Sequence, residues 1–210
     1  MAAAERRRLW RLGAALHESF VVARRNVALA RAIAAAIPEG AHVLDVGCGD
    51  GRLALQLRRI RPDLSIRGLD IEVRPSAAIE VLAFDGRAIP LPDRAVDIAL
   101  LCDVLHHVAD GEGLLREAKR VARRGVVIKD HFAESGWDAA QLAFMDLVGN
   151  PRSVPQPRNY LSERAWRALW ARVRLAPDEP IARALALYRP PFDRLFDRGL
   201  HFVARLEHVA

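Results

Sequence analysis

Three glycines at alternate positions, Gly47, Gly49 and Gly51, close the run Val43-Leu44-Asp45-Val46-Gly47-Cys48-Gly49-Asp50-Gly51. An apolar strand followed at once by glycines can turn sharply into a helix and let a ligand approach bare backbone. Amides at the N-terminus of the following helix would face that ligand. The spacing decides which ligand. A dinucleotide fingerprint requires a third glycine three residues after the second, and that position is Arg52. The pattern is instead G-x-G-x-G, with the acidic Asp45 two residues before the first glycine. Other residues able to do chemistry stand where apolar runs end: Asp70, Asp85-Gly86, Cys102-Asp103, His106-His107 and Asp130-His131. A carboxylate at Asp70 can accept from both hydroxyls of a ribose, a geometry that nucleotide folds reuse. Histidines near their usual pKa of about 6.5 can be neutral and basic at neutral pH. Asp130 beside His131 could orient and polarise it.

The elements that must position these residues follow from periodicity. Ala, Leu and Arg dominate residues 5–37, where Leu9, Leu12, Leu16, Phe20, Val27 and Ile33 recur at near-helical spacing. A break near Ser19–Phe20 would give two helices, and Pro38-Glu39-Gly40 stops the pattern. Strands are predicted at His42–Val46, Ser65–Ile71, Val81–Asp85, Val96–Cys102 and Val126–Lys129. Helices are predicted at Arg52–Ile60 and at Gly113–Arg124, the second with Asp110 as N-cap and Gly125 as the residue after its end. Apolar strands alternating with helices imply a parallel sheet covered on both faces, and right-handed crossovers make it doubly wound. Beyond Asp130, Trp137–Val148 reads as a helix with Trp137, Gln141, Phe144, Met145 and Val148 along one side. Ser162 caps another that runs to about Val173, with Trp166, Leu169 and Trp170 inward. Leu200–His208 reads as a last strand.

The glycine loop resembles motif I of class I S-adenosylmethionine-dependent methyltransferases, particularly the small-molecule, methyltransferase type 11-like group with a D-x-G-C-G-x-G loop. The resemblance covers residues 41–130 well and the rest loosely. It implies an α/β fold: a doubly wound, mostly parallel seven-stranded sheet with N-terminal helices and an antiparallel C-terminal strand. It also implies a single domain over 1–210. Residues 1–40 would form a helical cap, 41–130 the cofactor-binding core, 131–160 a substrate-covering insertion and 161–210 the rest of the sheet. The cofactor would be S-adenosylmethionine, leaving as S-adenosylhomocysteine. Asp45, Gly47, Cys48 and Gly49 would cradle it, and Asp70 with Ile71 would meet its ribose. Asp85 and Gly86 match the family's adenine contact. Ile89-Pro90-Leu91-Pro92 through Val96-Asp97 is similar to the family's connector into strand four, with Val96 replacing the usual Phe. Cys102 and Asp103 would lie by the methionine part, Cys102 through its backbone and not as a nucleophile.

Methyl transfer from a sulfonium needs alignment above all, and a general base only if the nucleophile starts protonated. His107 aligns with a histidine that some small-molecule members use near the methyl group. Asp130 and His131 would follow strand five at the ligand-binding edge. His131 is the expected base, helped by His107 and tuned by Asp130. His106, Phe144, Met145, Asn150, Arg158 and Tyr160 are the expected acceptor contacts. No metal is expected.

The chain has 210 residues, 51% of them hydrophobic, with a formal charge of +6, within reach of one sizeable core and not two. No apolar run reaches the roughly 18–20 residues of a membrane span, and no secretory signal is evident. Cys48 and Cys102, in unrelated segments, read as free thiols of a cytoplasmic protein. Residues 1–40 carry seven Arg against three Glu, a local net of +4. With Trp10, this cluster could rest on anionic headgroups. The expected partner is a small-molecule acceptor; the oligomeric state is open. A lipid or membrane-associated acceptor and a non-catalytic cofactor-binding protein are the alternatives. A nucleic-acid substrate is not expected, because no Asn-Pro-Pro-Tyr-type or paired-cysteine signature is present.

Overall fold

The central strands of the sheet carry apolar residues on both faces, which lets helices cover both sides. β1 (His42–Val46), β2 (Ser65–Asp70), β3 (Val81–Ala83), β4 (Val96–Cys102) and β5 (Ala122–His131) run parallel. β7 (His201–His208) runs antiparallel between β5 and the short β6 (Leu175–Pro177). The strand order β3-β2-β1-β4-β5-β7-β6 reverses between β1 and β4, where doubly wound sheets open a crevice at the carboxyl ends of their strands. The computed structural model describes residues 23–149, 159–178, 180–183, 185–188, 190, 193–197 and 199–209. The expected helix before Ala23, the Arg6–Arg8 cluster, Trp10, Asn150 and Arg158 lie outside them.

Helix α1 (Ala23–Ala36) and α2 (Arg52–Ile60) cover one face. Leu29, Ile33, Ala54 and Leu57 pack there on Val43, Ile98, Leu100 and Val203. On the other face, α3 (Gly111–Val121) and α5 (Glu163–Arg172) bring Leu114, Leu115, Ala118, Trp166 and Trp170 against Leu44, Leu101, Ile128 and Phe202. Each fully buried Leu or Ile contributes about 1.5–3 kcal/mol of transfer free energy. Capping fixes where helices begin. Asp110 accepts from the Gly113 amide at 2.8 Å, and Ser162 accepts from the Ala165 amide at 3.2 Å, as their side-chain types predict.

Several boundaries differ from the sequence expectation. α3 ends at Val121 and the chain enters β5 at Ala122 without a turn. Gly125 therefore stands inside the strand. Its φ of +137° and the Leu206 carbonyl opposite leave no room for a side chain. β5 also runs on through Asp130 and His131, paired to Phe202 and His201 of β7, so these two residues end the strand instead of following it. β2 and β3 stop at Asp70 and Ala83, one and two residues early. α4 (Gly136–Gly149) and the four-residue α6 (Asp193–Phe196) complete the chain order.

Candidate active site

The glycine loop leaves β1 at the sheet's switch point. Gly47, Gly49 and Gly51 have φ of +75°, +58° and +73°, values that side-chain-bearing residues adopt only under strain. The Gly47 and Cys48 amides donate to the Leu69 carbonyl at 2.6 and 3.2 Å. The Gly49 amide donates to Asp70 Oδ2 at 2.8 Å. A Cβ on Gly47 would strike Val104 and one on Gly51 would strike Ile79, whereas one on Gly49 would stand in open space. Two of the glycines are thus required by packing, and the third borders open space. Asp70 also accepts from the Glu72 amide at 3.0 Å through Oδ1. It therefore anchors the loop as well as facing the crevice.

Asp45 is buried beneath this loop. Burial, then the nearby Asp70 carboxylate, pushes its pKa up to about 7. Cys48 is pushed to about 12, by burial and then Asp45. Cys102 is raised well above its ordinary value by burial and Asp103, so neither thiol is a ready nucleophile. Asp85 sits past β3, accepting the Arg87 and Ala88 amides at 2.8 and 2.9 Å. Gly86 lies against Ile71, whose side chain is 59% exposed. Ile71 and Gly86 are thus neighbours beyond the ends of β2 and β3, with Asp85 next to Gly86 in the chain.

The ends of β4 and β5 carry a buried polar chain. The Lys129 ammonium, fully buried, donates to Asp103 Oδ1. Arg25 of α1 reaches the same carboxylate at 2.9 Å, fastening the N-terminal helix to this edge. Against the cost of burial, Lys129 and then Arg25 hold Asp103 well below the usual carboxylate range. Asp103 itself has a φ of +56°. Its carboxylate, expected beside the cofactor, is engaged by these two cations.

Asp130 Oδ1 lies 2.7 Å from His106 Nδ1, accepts the His131 amide at 2.8 Å and stands 3.2 Å from His131 Nδ1. The stronger partner of Asp130 is therefore His106, from the 3₁₀ turn Leu105–His107, and not its chain neighbour. His131 Nε2 is 3.4 Å from Lys129 Nζ, so both of its ring nitrogens have neighbours within the protein. Burial and then Lys129 lower its pKa, which keeps the ring neutral. Burial disfavours a charge on His106. The Asp130 and then Asp146 carboxylates override it and raise the imidazole to about 10. Burial and His106 lower His107. The Tyr160 hydroxyl donates to Asp146 Oδ2, and the Asn159 amide donates to the His106 carbonyl at 3.1 Å. Asn159 and Tyr160 are thereby fixed beside the histidines.

The structure thus brings together His106, His107, Asp130, His131 and Tyr160. Met145 is half-buried on α4, while Phe144 is exposed. Arg25, Lys129, Asp146 and His201 do not stand out in the sequence as site residues. Lys129 is detectable there as a charge inside an apolar strand. Asp146 shows no local signal, because its partners are distant in the chain.

Residues 44–128 match the family model described as a methyltransferase domain. Over 94 residues the chain is 36% identical to malonyl-[acyl-carrier protein] O-methyltransferase of Serratia marcescens, covering 42% of this chain and 37% of that protein. Over 99 residues it is 27% identical to 27-O-demethylrifamycin SV methyltransferase of Amycolatopsis mediterranei, covering 41% and 36%. The matched stretch spans about a third of the length of these curated relatives. A solved structure of Burkholderia thailandensis 1,6-didemethyltoxoflavin-N1-methyltransferase, with its substrate and S-adenosylhomocysteine bound, superimposes with a TM-score of 0.60 at 16% identity, over 100% of this chain and 91% of that one. The fold is that of the class I methyltransferases. Within that fold, residues 44–128, less than half of the chain, are similar to the methyltransferase domain family. Among the described residues, no helix is long and apolar enough to cross a membrane.

Proposed function

We propose that this chain transfers a methyl group from S-adenosylmethionine to a small-molecule acceptor held at the carboxyl ends of β4 and β5. One observation carries the reading: the open glycine loop and the buried histidine–carboxylate cluster converge on the same edge of the sheet. The bound cofactor supplies a methyl group already activated on a sulfonium.

The residues of the chain divide the remaining work. Gly49 admits the ligand to bare backbone, Asp70 meets the ribose, and Ile71 with Asp85 and Gly86 receives the adenine. The glycine loop, Asp45, Cys48 and the chain at Cys102–Asp103 border the methionine part. Arg25, by holding α1 to Asp103, makes α1 a cap on this edge. α4 and Tyr160, from the expected covering insertion, cover the acceptor, with Met145 and Tyr160 in its wall. His131, held between Lys129 and Asp130, positions the cluster instead of serving as a free base. His106 and His107 then stand nearest the acceptor.

A membrane-associated acceptor is the second reading. α4 exposes Trp137, Phe144 and Leu147, which helical spacing places on one stripe. The test of the main reading is a crystal of the full chain with S-adenosylhomocysteine. The thioether sulfur should point at His106, His107 and Tyr160. A sulfur facing away from them would refute this placement of the acceptor.

A further inference from the structure

His106 and His107 stand side by side on the 3₁₀ turn, their ring centroids 4.0 Å apart. α4 brings Asp146 to them, its Oδ2 3.4 Å from His106 Nε2. One ring nitrogen from each histidine and one carboxylate oxygen all lie within 4.8 Å of one another. We propose that His106, His107 and Asp146 bind a divalent transition metal, zinc or an ion of its class, whose open position takes an oxygen of the acceptor.

Four observations carry this. First, Asp130 holds His106 by Nδ1 at 2.7 Å, so Nε2 is the ligand atom once an ion displaces its proton. A carboxylate on the far nitrogen of a metal-binding histidine is the usual outer support. Second, His106 Nε2 is buried and makes no hydrogen bond among the described residues. Its 3.4 Å separation from Asp146 Oδ2 suits two tetrahedral ligands of one ion. Bonds of about 2.0–2.1 Å place such ligands roughly 3.3 Å apart. Third, the Tyr160 hydroxyl donates to the Asp146 carboxylate, a second outer contact. Fourth, His107 and Asp146 are only partly buried, which gives an ion a way in. Two imidazoles and one carboxylate suit zinc or iron better than magnesium or calcium, and three protein ligands leave a position open.

A neighbouring trio, His106, Asp130 and His131, also clusters within 4.8 Å. An ion there would have to displace the short His106–Asp130 bond, so the first trio is preferred. The sequence shows no ligand spacing because Asp146 lies far along the chain from the histidine pair.

The metal site stands by itself; its use in catalysis rests on the methyltransferase reading. A hydroxyl acceptor bound to the ion would lose its proton to water more readily than in solution. Its oxygen would then form the new O–C bond as the cofactor's C–S bond breaks, the sulfur keeping the electron pair.

The full chain, stripped with a chelator, is titrated with Zn²⁺ against a chromogenic chelator, and separately with Co²⁺ while its visible spectrum is recorded. One zinc per chain and cobalt d–d bands are expected. His107→Ala and Asp146→Asn should each weaken zinc binding at least tenfold, and Asp130→Asn by about 10- to 100-fold. His42→Ala, at an exposed histidine elsewhere, should change nothing. Melting temperatures of the stripped variants confirm that each is folded. Asp146→Asn preserves side-chain shape, which guards against misfolding as the cause of loss. Absence of stoichiometric zinc in the parent would overturn the site, as would equal affinity in folded His107→Ala and Asp146→Asn. S-adenosylhomocysteine titrations of the stripped chain separate the two readings. Cofactor binding without zinc sinks only the metal site. Zinc binding without the cofactor keeps the site and removes its catalytic role.

Discussion

Asp45→Asn isolates the energetic tension under the glycine loop. The carboxyl group titrates near 3.8 in ordinary surroundings and near 7 in the fold, because burial and then Asp70 oppose its charge. The folded chain therefore holds a proton that the unfolded chain releases, and stability falls as pH rises between those two values. At about 1.36 kcal/mol for each pH unit separating them, the full penalty is at most about 4 kcal/mol, reached above pH 7. Between pH 5 and 8 the expected loss is about 2.5 kcal/mol. Asparagine does not titrate, so the variant should escape this loss. Thermal melts at pH 5, 6, 7 and 8 would show it as a gap in Tm, variant over parent, that widens by roughly 5–10 °C for a chain of this size. S-adenosylmethionine is cationic and should favour the ionised carboxylate. Its affinity for the parent should then strengthen over the same pH range and stay flat for the variant. A stability gap that does not change with pH would refute the assignment of a protonated, strained Asp45.

Other perturbations test the remaining parts. Asp70→Ala should weaken S-adenosylhomocysteine binding by about 2–4 kcal/mol, at roughly 1.5–3 kcal/mol for each charged hydrogen bond lost; calorimetric affinity within twofold of the parent would remove Asp70 from the ribose. Asp97, which accepts from Arg123 and the His42 amide at 2.7 and 2.8 Å, has a pKa lowered to about 2 by the Arg123 hydrogen bond above all. It therefore stabilises the fold above its unfolded pKa and loses that effect as pH falls from about 4 toward 2. Asp97→Asn should lower Tm at pH 7, and in urea titrations its deficit against the parent should shrink as pH falls below 4 and close only below about pH 2. With an acceptor in hand, His131→Ala should lower turnover at least tenfold while leaving S-adenosylhomocysteine affinity within twofold, and His131→Gln should recover part of the rate. Joint loss of binding and rate would mark a purely structural histidine.

Much of this architecture is legible in the sequence, for reasons visible in particular residues. The glycine loop announces itself because turn, close packing and ligand access all require the same small residue. The central strands β1 and β4 carry apolar residues on both faces, and β2 and β3 are short apolar-bearing runs bounded by charged or glycine residues, so their positions follow closely. The end of β5 does not follow, because only its pairing with β7 extends it through Asp130 and His131. β6 is three residues long and shows no alternation to detect. In the candidate site, the sequence brings Asp130 and His131 to notice as neighbours. The fold shares Asp130 between the two histidines, with the closer contact, 2.7 Å, going to His106 and the longer, 3.2 Å, to His131. Arg25 and Asp146 acquire partners only through the folding of distant elements. Gly125 shows the converse: a residue expected to end a helix serves the close approach of two strands.

The most direct measurement is calorimetry on the full chain with S-adenosylhomocysteine, S-adenosylmethionine and NAD. The open backbone at Gly49, together with Arg52 where a dinucleotide loop needs glycine, predicts one site per chain. Both sulfur cofactors should bind there with micromolar affinity and NAD should give no heat. Preference for NAD, or no binding of S-adenosylhomocysteine by a folded chain, would contradict the account.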